Sequence, residues 1–170
     1  MYFTFDTPII NSYGMKTNFL LPNKFKKIGW VLFLIGIVTG VFMYSDLLDN
    51  DVLQVKVLSI YHEGILSEKT SFFKIIKNGI LDEIVALIII VGGLIVGFSK
   101  EKIEDEFIYK LRTESLVWAL ILNYVILVVA IVFVYDISFF NVLIFNMFTP
   151  LLFFIIRFNF LKRKSSSYEE

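Results

Sequence analysis

The chain has no cysteine, one histidine, three prolines and, over 170 residues, no excess charge of either sign. Without cysteine there is neither a disulfide framework nor thiolate chemistry. The histidine, His62, stands in His62-Glu63-Gly64-Ile65-Leu66, which lacks the second histidine four positions on that a zinc-protease helix requires; it reads as a loop histidine. Zero net charge removes the electrostatic footprint of a nucleic-acid binder. No glycine-rich phosphate loop follows a strand, and no nucleophile stands with a base. The acidic group Asp46, Asp49, Asn50 and Asp51 matches no EF-hand spacing. These absences predict a non-enzymatic protein with no catalytic residues, no metal and no cofactor.

Apolar residues are in excess. The chain is 57% hydrophobic and 17% aromatic but only 19% charged, against about 25% charged in a typical soluble domain, and its mean hydropathy is +0.76. The apolar residues cluster into runs long enough to cross a hydrocarbon core of about 30 Å. The expected fold is an all-α membrane protein, a four-transmembrane-helix bundle with spans at about 28–46, 80–98, 116–135 and 138–160. A leader precedes it (1–27, of which 1–14 carries no visible function and is disordered or an over-extended start ahead of Met15), and a short tail follows (161–170). Because Asp136 and Ile137 nearly alone separate the last two spans, these form a tight antiparallel hairpin.

Lysine and arginine set the orientation. The leader carries Lys16, Lys24, Lys26 and Lys27; the connection between spans two and three carries Lys100, Lys102, Lys110 and Arg112; the C-terminal end carries Arg157, Lys162, Arg163 and Lys164. The other side has four basic residues in a longer connection and none in the hairpin turn. Both termini are therefore expected inside. Trp30 and Trp118 then fall at the inner interface and Tyr44 and Tyr135 at the outer one, where aromatic belts are expected.

The outer connection contains a strand-like alternation, Leu53-Gln54-Val55-Lys56-Val57. Ser67 to Asn78 reads as an amphipathic helix, with Ser67 as its cap and Gly79 at its end, lying flat on the outer membrane surface. In the inner connection Ile103, Phe107 and Leu111 recur every four residues, and Glu106 precedes Lys110 by four. This predicts a charged cytoplasmic helix over Lys100–Arg112 whose apolar stripe docks a partner.

The strings Leu21-Pro22-Asn23-Lys24-Phe25-Lys26-Lys27-Ile28-Gly29-Trp30 and Ser99-Lys100-Glu101-Lys102-Ile103-Glu104-Asp105-Glu106, with Lys110-Leu111-Arg112 and Ser115-Leu116 after them, resemble a family of small uncharacterised bacterial four-helix integral membrane proteins. The resemblance covers the chain from about Leu20 onward, except the outer connection. It implies a multi-pass protein of the bacterial inner (cytoplasmic) membrane and carries no activity or site residue.

Two Gly-x-x-x-Gly pairs, Gly36/Gly40 and Gly93/Gly97, flatten helix faces for close packing. Gly97 is level with Gly29, so spans one and two are expected to meet at their inner ends, leaving Gly36 and Gly40 free for another helix. Polar groups inside the hydrocarbon are Asn123 and Tyr124 in span three and Asn146, Thr149 and Pro150 in span four. Asn123 and Thr149 are expected within reach of a hydrogen bond, and Pro150 frees the carbonyl of Asn146. No ionisable side chain sits near the midplane, which counts against ion-coupled transport.

Three functions remain open. The first is an accessory or regulatory component that binds a cytoplasmic protein through Lys100–Arg112. The second is a homo-oligomeric pore or membrane-perturbing effector, assembled through the free glycine face. The third is a small-solute transporter.

Overall fold

The computed structural model describes residues 19–45, 47–48, 53–62 and 71–166. Four helices dominate it: α1 (Lys24–Tyr44), α2 (Leu81–Gly97), α3 (Glu106–Phe133) and α4 (Asp136–Ser166); between α1 and α2 lie two strands, β1 (Gln54–His62) and β2 (Ser71–Gly79). Three of the helices, Lys24–Tyr44, Glu106–Phe133 and Asp136–Ser165, are long and apolar enough to cross a membrane. The 17 residues of α2 reach only about 25 Å at 1.5 Å per residue, short of the hydrocarbon thickness unless Ile80 and Phe98 at its ends are counted.

Helix α1 packs mainly against α2, and α3 against α4; contacts between α2 and α4 join the two pairs. The buried face of α3 recurs as Leu111, Ser115 and Ala119, with Ala130 further along. That is the 3.6-residue period of a helix presenting one stripe to its neighbours. Its small members let α4 approach closely, as packing in lipid rewards. Asp105 starts α3, its side chain accepting from the Ile108 N–H at 2.7 Å and satisfying a donor that the first turn leaves open. Only Val134 and Tyr135 separate α3 from α4, and Asp136 takes up the reversal with φ of 57°.

The segment predicted as an amphipathic outer helix is instead a strand, over the part of it that is described. β2 pairs antiparallel with β1 from Gln54↔Gly79 to His62↔Ser71, and the Ile80 N–H closes its base on the Leu53 carbonyl at 3.2 Å. The reason lies in composition. Phe72, Phe73, Ile75 and Ile76 are aromatic and β-branched, which suits a pleated surface, and β1 supplies a partner of equal length. The lysine spacing that suggested a helix serves equally well on alternating strand faces. Ser67, the predicted cap, and the acidic group at 46 and 49–51 lie outside the described residues, as does 1–18.

A charged helix over Lys100–Arg112 does not form as predicted either. Ser99 to Asp105 is non-helical, and the helix begins only at Glu106, running on without a break into the third span. The cause is a set of tertiary bonds that hold this segment elsewhere.

Candidate functional site

Two ends of the bundle differ in kind. One gathers the start of α1, the end of α2, the 99–105 segment, the start of α3 and the end of α4, and is called here the termini end. The other carries the two strands and the α3–α4 turn, and is the hairpin end.

At the termini end the chain ties itself together. Leu21 and Ser99 form a short parallel bridge, with the Leu21 N–H on the Phe98 carbonyl at 2.9 Å and the Lys100 N–H on the Leu21 carbonyl at 2.8 Å. Asn23 Nδ2 donates to the Lys100 carbonyl at 2.6 Å. Glu101 receives Lys26 from α1 and, at 3.1 Å, Lys162 from α4. Glu104 receives the guanidinium of Arg112 through both nitrogens, one of them at 3.1 Å, and accepts the Glu101 N–H at 2.8 Å. Arg112, 3% exposed, also donates to the Ser99 carbonyl at 3.3 Å. A planar fork of donors matched to a carboxylate is the geometry that arginine provides and lysine does not. Beneath this network lies the ring of Phe158, with the cationic centres of Arg112, Lys26 and Lys162 at 5.1, 5.7 and 5.9 Å from its centroid. It stacks on Phe154, which in turn meets Phe98.

Burial pushes the Glu101 carboxyl up, but hydrogen bonds and charge from Lys26 and Lys162 outweigh it and hold the group below its ordinary value of 4.5.

Of the predicted docking stripe, Ile103 is 76% and Phe107 51% exposed, whereas Leu111 is only 8% exposed and belongs to the core. The three do not share a helical face, because Ile103 precedes the helix. The ion pair found on this helix is Lys110–Glu114 at 4.0 Å, one turn beyond the expected Glu106–Lys110 pair.

The glycines fall into two groups. A Cβ on Gly29 would lie 3.0 Å from the Val96 backbone, one on Gly36 3.1 Å from that of Ile89, and one on Gly92 2.6 Å from that of Phe33. Helices α1 and α2 thus approach backbone to backbone between Gly29 and Gly36 of α1 and between Ile89 and Val96 of α2. Gly36 is not free for a second copy, which removes half of the seam on which the pore reading rested. Gly93 and Gly97 face Leu151 and Phe154 of α4. Gly40 alone of these has room, its nearest neighbour being Val85 at 3.5 Å.

That room opens, at the hairpin end, into an apolar groove of about 820 Å³ between α1, α2 and α4. Gly40, Val85, Phe148 and Thr149 line it, and Tyr44 and Phe145 meet edge to face there at 5.4 Å. The hydrogen bond expected between Asn123 and Thr149 is absent. The Thr149 hydroxyl donates to the Phe145 carbonyl at 3.2 Å, while the side-chain oxygens of Asn123 and Asn146 are buried without a hydrogen-bond partner. Counted back from the Val134–Tyr135 turn, Asn123 is level with Asn146, and Thr149 lies about 4.5 Å further along. Pro150 sits inside α4.

His62 ends β1 opposite Ser71, and no group of three metal-ligating side chains occurs among the described residues. Comparison with protein-family models, with curated proteins and with solved structures finds no match to this chain.

Sequence reasoning missed the network around Arg112 and Phe158. Its signal was present as opposite charges at Glu101, Glu104 and Arg112, but these read equally well as a solvated face.

Proposed function

We propose that this chain is a non-enzymatic integral membrane protein of the bacterial inner membrane, crossing four times with both termini cytoplasmic, and that it acts as an accessory or regulatory component holding a cytoplasmic protein at its termini end. The fourth pass is α2, which carries no charged residue from Ile84 to Ser99 and lies between α1 and α4. The orientation rests on the twelve basic residues assigned to one side.

One observation carries the docking reading. Phe107 precedes the interfacial Trp118 by eleven positions, so it stands about 16 Å beyond that belt at 1.5 Å per residue. There, outside the hydrocarbon, Phe107 and Ile103 are both exposed among charged neighbours. The segment bearing Ile103 is fixed by Glu101, Glu104 and Arg112. A surface ordered before binding loses less entropy when a partner arrives. Leu111, spent on the core, is not part of that surface.

Photo-crosslinking residues placed singly at Ile103, Phe107 and, as a control, Thr113 test the reading in native membranes. The expected result is one protein adduct of discrete mass from the first two sites and none from the third. Adducts only to lipid, or none from either site, overturn it. A tag after Glu170 reachable only from outside the cell overturns the orientation separately.

A further inference from the structure

The two strands form a two-stranded sheet of nine residues each, a size that is marginal alone in water. Successive side chains alternate between its faces. One face presents Leu58 and Ile60 from β1 beside Ile75 from β2, exposed by 62, 65 and 66%. Phe73, 69% exposed and held at φ 53°, stands where the ladder skips its pair with Ile60. A bulky residue in that region of backbone space is strained. On the face with Leu58 and Ile75, Lys56 stands directly across from Lys77. Like charges opposed across strands destabilise the pair, so this pairing calls for an anionic counterpart. Neither strand contains an aspartate or glutamate to supply it.

The sheet is also tethered at the bundle. Its base closes on Leu53 and Ile80, and β2 leads within two residues into α2. If α2 enters the bilayer at Leu81, the sheet starts at headgroup level. Apolar residues flanked by lysines at that level match a surface of anionic lipid, which attracts basic side chains within a Debye length. A second copy is the poorer occupant, because a two-fold contact through this face would bring four lysines into one seam.

We propose that the face bearing Leu58, Ile60 and Ile75 lies on the surface of the bilayer that the helices cross, with Lys56 and Lys77 among anionic lipid headgroups. The inference rests on the bundle spanning that bilayer, and not on the docking of a cytoplasmic protein.

The cysteine-free chain makes the test direct. Single cysteines at Leu58 and Ile75, on the proposed contact face, and at Val55 and Ser59, on the other, are labelled with an environment-sensitive fluorophore in nanodiscs. In discs of phosphatidylglycerol, Leu58 and Ile75 labels shift to the blue and are quenched by brominated acyl chains, while Val55 and Ser59 labels are not. Phosphatidylcholine discs, or Lys56→Glu with Lys77→Glu, abolish the shift. A label at Val128, a lipid-facing position on α3, is quenched throughout and reports insertion of the bundle. Equal responses on both faces, a shift indifferent to lipid charge, or a shift that appears only in discs holding two protomers overturns the proposal. If Val128 itself escapes quenching, the membrane-spanning reading fails first and the proposal falls with it.

Discussion

The termini end and the hairpin end are built from similar side chains and solve opposite problems. At the termini end, charges from three helices and one connecting segment are consumed by one another over the Phe158 ring, which leaves Ile103 and Phe107 as the exposed apolar side chains beside them. At the hairpin end, α1, α2 and α4 leave a groove beside Gly40, and the sheet shows exposed apolar side chains. The difference teaches that charge density in a membrane protein's connection does not by itself mark a docking surface. Buried pairs that satisfy each other mark a fastening.

The contrast can be broken most severely at Arg112. Arg112→Met leaves the half-buried Glu104 without its guanidinium partner, and removing one member of such a pair costs about 3 kcal/mol. Thermal unfolding in mild detergent is expected to show this loss, and adding Glu104→Gln should recover a large part of it. Full additivity of the two changes would mean that the pair is not coupled.

The glycines sharpen the same contrast. A methyl group on Gly92 meets the Phe33 backbone, which cannot move aside without parting α1 from α2, so Gly92→Ala is expected to destabilise by about 1–3 kcal/mol. Gly40→Ala, with space around it, should change stability by less than about 0.5 kcal/mol. Equal unfolding temperatures for the two variants would contradict the groove.

Acid loosens the termini end. The folded Glu101 carboxyl is held below 4.5, so its contribution is present above that value and is lost as pH falls through the lower folded value. Unfolding temperatures recorded from pH 7 downward should fall in this window, and Glu101→Gln should flatten the drop.

The smallest effect belongs to Lys110–Glu114. Both side chains are exposed, and such pairs contribute between about 0 and 1 kcal/mol. Glu114→Gln should be barely measurable by the same melts.

Much of this was legible beforehand. The runs that became α1, α3 and α4 could be seen because lipid as a solvent demands about twenty apolar residues in a row, whatever their neighbours. The short α3–α4 turn followed from spacing, and the alternation at Leu53–Val57 marked part of β1. Ser67–Asn78 reads as a helix in the sequence because the same lysines and aromatics satisfy either a helical or a strand period, and only pairing with β1 decides between them. The Lys100–Arg112 segment departs from a helix because Glu101 acquires its meaning from Lys26 and Lys162, which lie 75 and 61 positions away. Gly36 was misplaced because depth along a helix can be counted, whereas rotation about its axis cannot.

Composition by itself thus determined that three long helices are apolar enough to cross a membrane and where they lie along the chain, since those depend on each residue's own affinity for water and on chain length. Tertiary structure alone decided which charges are used up, which glycines are covered and which apolar side chains remain in the open. Those outcomes depend on how the helices are turned toward one another, and that is fixed only when backbones distant in sequence come into contact.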